Sequence, residues 1–112
     1  MFTNQQTFTL VRNHLLKQGR KALDDSGNCR YLAPDSSKCA AGCLIPEGQY
    51  NPAFEKKEVS KVINENGFSD WFGHNARLVV LLQYIHDCCS VFEWDQRLSD
   101  LAEGWGVSIE VS

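Results

Sequence analysis

The chain is poor in features that commit a protein to a chemistry. Its 112 residues hold no phosphate-binding glycine loop, no nucleophile–base motif and no groove-reading nucleic-acid signature, so nothing points to the common nucleotide-dependent, hydrolytic or DNA-reading classes. Long apolar runs are missing as well. The longest, Leu78-Val79-Val80-Leu81-Leu82, is about a quarter of the roughly 20 residues a membrane-spanning helix requires, so no membrane association is expected. The segment from Met1 to Gln6 carries neither a basic nor an apolar targeting stretch, and the expected location is the cytoplasm. Paired Cys-x-x-Cys knuckles are absent too. The five cysteines are odd in number and include the adjacent pair Cys88-Cys89, which does not read as a disulfide framework for a compartment where thiols stay reduced.

What the chain does have is enough apolar material for a core. With 43% hydrophobic residues and three tryptophans in 112 residues, a single domain spanning 1–112 is expected to fold without staples. The net charge of −3 is unevenly spread: residues 1–40 hold six basic and three acidic side chains, whereas 87–112 hold six acidic ones and Arg97 alone as a base. Such a field can steer a docking partner. Arg12, Lys17, Arg20, Lys21 and Arg30 make a modest basic group, but without aromatic interleaving it argues against direct nucleic-acid binding.

Periodicity predicts a mainly α domain of four to five helices with one irregular, cysteine-containing arm. Thr3-x-x-Gln6 is a capping-box signature, after which Phe8, Val11 and Leu15 recur at helical spacing until Gly19. The period is lost over residues 20–37, where Asp24 to Asn28 and Pro34 to Ser37 carry turn chemistry. A short helix capped by Ser37 is then expected, with Cys39 and Cys43 on one face and Pro46 as its end. Asn51-Pro52 reads as cap and first residue of a helical stretch through Phe54, Val59, Val62 and Ile63, broken between Phe54 and Val59. From Asn75 to about Cys88 runs the strongest pattern: Leu78, Leu81, Leu82 and Ile85 form a stripe that Val79 and Val80 widen, predicting a central, mostly buried helix. Trp94, Leu98, Leu101 and Trp105 mark a last helix, and the alternating tail from Val107 to Val111 suits a short edge strand or an end strapped over the core.

Three kinds of site are compatible with the residues. Cys29, Cys39 and Cys43 with His86 could hold zinc, with His74 or Cys88 as other fourth ligands; the spacing is unspecific, and no cofactor is favoured. Cys39 could serve as a thiol nucleophile near the cap at Ser37, with His86 as base, Asp87 beside it and Gln18 as amide donor, in a hydrolase or transferase plan. The plainer reading makes the thiols buried packing and His86 a core histidine bonded to a backbone or carboxylate group. Aromatics on the loop-like segment 67–73, namely Phe68, Trp71 and Phe72, are candidate partner anchors.

Taken together, His14-Leu15-x-x-Gln18, Cys29-x-Tyr31, Lys38-Cys39-Ala40-x-Gly42-Cys43-Leu44-Ile45-Pro46 with Tyr50, and Leu82-Gln83-x-Ile85-His86-Asp87 followed by Trp94 resemble a group of small uncharacterised proteins of bacteria and their phages. The resemblance runs from about residue 7 to 102, and this chain departs from it at Ser36-Ser37, where a glycine is expected. It implies no reaction. It implies a setting, that of phage or mobile-element accessory proteins that bind and inhibit or redirect a host protein.

Overall fold

The computed structural model describes residues 3–46, 48–55, 57–65 and 75–109. Among the described residues four α-helices carry the architecture: α1 (Asn4–Gln18), α2 (Val59–Glu65), α3 (Ala76–Cys88) and α4 (Trp94–Trp105). Among the described residues there is no sheet, only isolated antiparallel bridges between Leu23 and Cys29 and between Leu32 and Lys38. The mainly helical expectation therefore holds.

α1 starts where the capping box predicts. The Thr3 hydroxyl accepts from the Gln6 N–H at 3.0 Å while the Gln6 side chain accepts from the Thr3 N–H at 2.9 Å, satisfying two otherwise orphaned donors. Gly19 ends the helix at φ 67°, its N–H bonded to the Leu15 carbonyl. Phe8, Val11 and Leu15 face inward and are fully buried. α3 is the hub, touching α1, α2 and α4. Its buried face is Leu78, Val79, Leu82, Ile85 and His86, each large apolar side chain contributing about 1.5–3 kcal/mol of transfer free energy. Val80 and Leu81 instead stay 43% and 38% exposed, so the helix is buried on one side only. Helical geometry turns residues 80 and 84 away from residues 78, 82 and 85 and leaves 81 at the edge of the buried face.

Trp94, at the start of α4, is fully buried and stacks on the His86 ring with centroids 5.6 Å apart. The stretch after Asn51 breaks as expected: a 3-10 turn, Pro52–Phe54, capped by the Asn51 side chain, precedes α2. The tail does not form a strand over 107–109. Gln5 straps it down instead, accepting from the Ser108 N–H at 2.8 Å and donating to its carbonyl at 2.8 Å.

The helix expected after Ser37 shrinks to one turn. The Cys43 N–H reaches the Cys39 carbonyl at 3.1 Å, and a 3-10 turn, Gly42–Leu44, follows at once. Ser37 is not its cap, because its N–H and hydroxyl are turned back onto the Asp35 carboxylate. Two loops of one design build the arm before it. In the first, the Gly27 N–H bonds the Asp24 carbonyl and Gly27 sits at φ 83°; in the second, the Ser36 N–H bonds the Ala33 carbonyl and Ser36 sits at φ 72°. Each is a turn closed by a left-handed residue, and the second asks a serine to do what glycine does freely.

Candidate functional site

A cleft of about 460 Å³ lies between the arm, the start of α2 and one side of α3. Tyr31 and Cys39 come from the arm, Glu58 and Val59 from the α2 entry, and Val80, Tyr84 and Asp87 from α3. The arm is not self-supporting here. It is fixed by side chains reaching its backbone from the helical body.

From α1, the Gln18 amide pairs with the Lys38 peptide, accepting its N–H at 2.9 Å and donating to its carbonyl at 3.0 Å, and His14 Nε2 donates to the same carbonyl at 2.9 Å. The Glu55 carboxylate accepts from the Tyr31 N–H at 3.0 Å, the Leu32 N–H at 3.3 Å and the Tyr50 hydroxyl at 2.6 Å, with the Arg30 guanidinium 3.6 Å away. From α3, Gln83 accepts the Ala41 N–H at 2.9 Å and donates to Asp87 Oδ1 at 2.8 Å. Each neutral bond of this kind nets only about 1 kcal/mol. Their number, distributed along residues 22–41, is what orders a segment with little secondary structure of its own.

His86 completes the set. Its Nε2 accepts the Ala22 N–H at 3.0 Å, so the ring proton belongs on Nδ1, which donates to Asp87 Oδ1 at 2.7 Å. With both nitrogens engaged and the ring fully buried, neither is available as a base. A metal on Nδ1 would require moving the proton to Nε2, directly against the Ala22 N–H.

The thiols fall in different places. Cys39 is buried and accepts from the Gly42 N–H at 3.3 Å, while Cys43 donates to the Ala40 carbonyl at 3.0 Å. Burial pushes both thiols up to about 12, the direction opposite to nucleophile activation. Cys29 is an exposed residue, yet its sulfur, a His86 nitrogen and an Asp87 oxygen lie within 4.8 Å of one another. Partial burial and the Asp87 carboxylate push that thiol up to about 11.

Cys29, Cys39, Cys43 and His86 therefore do not form one ligand set among the described residues: Cys29 joins His86 and Asp87, and the other two thiols hold arm backbone. In the thiol-nucleophile arrangement, Cys39 takes Gly42 rather than His86, and Gln18 is occupied by Lys38. Phe68, Trp71 and Phe72, like His74, lie outside the described residues. Sequence reasoning missed Glu55, which bonds residues 23 and 24 positions away, and the open side of α3. The only signal for Gln83 was its place beside Ile85-His86-Asp87.

Gly42 sets how closely the arm can fold. A Cβ there would stand 2.0 Å from the Tyr31 carbonyl oxygen, so two arm segments meet backbone to backbone. Among the described residues no helix is long and apolar enough to cross a membrane. The chain matches no protein-family model, no curated protein and no solved structure.

Proposed function

We propose that this is a small cytoplasmic accessory protein of the phage or mobile-element type that works by binding a host protein and inhibiting or redirecting it. The observation that carries this reading is the division of labour around the cleft. The Cys39 thiol and the His86 imidazole that look catalytic are engaged with arm backbone, whereas Val80 and Tyr84, 43% and 62% exposed, line the same cleft without covering from the described chain. Exposed apolar and aromatic side chains at the rim of a concavity are what a partner desolvates. The acidic C-terminal quarter contributes less than its composition suggests. Asp95 pairs with Arg12 at 3.5 Å and Glu93 with Arg97 at 3.3 Å, leaving Asp100 and Glu103 as the exposed α4 carboxylates without a cation within 4 Å among the described residues. Competitive capture from bacterial lysate tests the reading: a saturable protein partner is expected on the wild type and lost on Tyr84→Ala. Retention of every captured protein by Tyr84→Ala would overturn it.

A zinc module is the second reading, favoured by the gathering of Cys29, His86 and Asp87. It needs the His86 proton to move, and it predicts stoichiometric metal and unfolding by chelator. A cysteine hydrolase or transferase would need a thiol that titrates low, and the surroundings of all three arm thiols act the other way.

A further inference from the structure

We infer that the cleft receives an arginine side chain of the partner. This rests on the docking reading above and names its chemistry. The charges lining the cleft are Arg30, Lys57, Glu55, Glu58 and Asp87, and they are unequally spent. Arg30 lies against Glu55 at 3.6 Å and Lys57 against Glu65 at 2.9 Å. The nearby Lys21 ammonium bonds the Asp87 backbone carbonyl at 3.2 Å rather than its carboxylate. Among the described residues, neither Glu58 nor Asp87 has a lysine or arginine within 4 Å of its carboxylate.

Asp87 is also aimed. Nδ1–H of His86 and the Gln83 amide both fall on Oδ1, fixing a carboxylate that the Cys29 sulfur also approaches. Burial first, and then Glu55, Asp87 and Glu58, push the Tyr31 hydroxyl up, and the lining holds these three carboxylates against the two cations Arg30 and Lys57. Anionic ligands are disfavoured by that balance. Val59, Val80 and the exposed Tyr84 ring supply walls for an aliphatic stem and a flat cationic head. A guanidinium meets both demands, stacking on an aromatic face while its fork bonds a carboxylate, and it is less strongly hydrated than an ammonium. The volume of about 460 Å³ lies in the range that encloses a compact ligand.

The probe is N-acetyl-arginine N-methylamide, titrated into the full chain and followed by amide NMR shifts, with the citrulline analogue as a neutral isostere. Saturable shifts at Glu58, Tyr84 and Asp87 are expected with a dissociation constant near ~10 mM. The citrulline analogue should bind at least about tenfold more weakly, and Glu58→Gln should weaken the arginine probe about threefold to tenfold. Glu58 has no side-chain partner among the described residues, so that variant leaves the arm bonds intact. Equal response to both probes, shifts confined to other residues, or no saturation by ~50 mM would overturn the inference. Partner capture separates the two levels. If Tyr84→Ala loses the partner while the probes do not discriminate, the docking face stands and arginine recognition falls; if Tyr84→Ala keeps it, the docking reading falls.

Discussion

Replacing Gly42 by alanine removes nothing from the structure and adds one methyl group, yet it should be among the most damaging single changes. The added carbon would stand 2.0 Å from the Tyr31 carbonyl oxygen and 2.9 Å from its carbonyl carbon. Close carbon–oxygen contacts in proteins fall near 3.3–3.6 Å, so the two backbones must separate by about 1.3 Å, and no side chain can rotate to absorb that. The shift lands on a strand of backbone anchored nearby: the Tyr31 and Leu32 N–H groups on Glu55, the Tyr31 hydroxyl on the Lys57 carbonyl, and the Ala41 N–H on Gln83. Overpacking costs about 1–3 kcal/mol, and losing two or three of these bonds adds about 1 kcal/mol each. Against this, the glycine-to-alanine gain from a less flexible unfolded chain is about 0.4–1 kcal/mol. The balance is a loss of about 2–6 kcal/mol. In urea unfolding, with a slope of about 1–3 kcal/mol per molar, the midpoint should fall by about 1 M or more. An unchanged midpoint, with backbone amide shifts near Tyr31 also unchanged, would refute the claim that the arm closes by backbone contact at this point.

Ser36→Gly should stabilise, because Ser36 occupies φ 72° while Gly27 holds the same place in the neighbouring loop; relief of about 1 kcal/mol is expected in thermal or urea unfolding, and destabilisation would contradict the assigned turn. Asp24 and Asp35 are held below the usual carboxylate range, first by the Asn28 backbone N–H and by the Ser37 hydroxyl respectively. Their contribution is complete above the ordinary value of 3.8 and is lost as pH falls through their lower folded values. Hydrogen exchange at Ser26, Asn28 and Ser37 should accordingly rise, relative to the helices, only in that acid window. Cys29, pushed up to about 11, should alkylate slowly at neutral pH, its rate climbing about tenfold per pH unit; a plateau reached by pH 8 would show an activated thiol.

The helices were readable because their signals are local. Thr3 and Gln6 cap one another within a turn, Phe8, Val11 and Leu15 repeat on one face, and the break between Phe54 and Val59 appears as a gap in the period. α3 was legible as a helix but not in its orientation: the six apolar positions Leu78 to Leu82 and Ile85 leave the buried side ambiguous, and the choice was made by packing against α1, α2 and α4. The arm was legible only as irregular. Its order comes from bonds that span 20 residues for Gln18 to Lys38, 42 for Gln83 to Ala41 and 64 for His86 to Ala22, and no local pattern encodes such distances. The same reason hid the cleft, whose walls come from the arm, the α2 entry and α3. The cysteines misled by proximity in sequence: Cys39 and Cys43 are four apart, but the thiol beside His86 belongs to Cys29.

The reading as a binding protein turns on whether His86 is spent. Long-range proton–nitrogen NMR of the folded chain, with ¹⁵N in the histidine ring, reports which nitrogen carries the proton. Hydrogen bonding from Ala22 to Nε2 and from Nδ1 to Asp87 predicts the proton on Nδ1, an Nε2 shifted as an acceptor, and no change when zinc is added. A proton on Nε2, or an Nδ1 resonance that moves with zinc, would contradict the account and return His86 to the role of ligand or base.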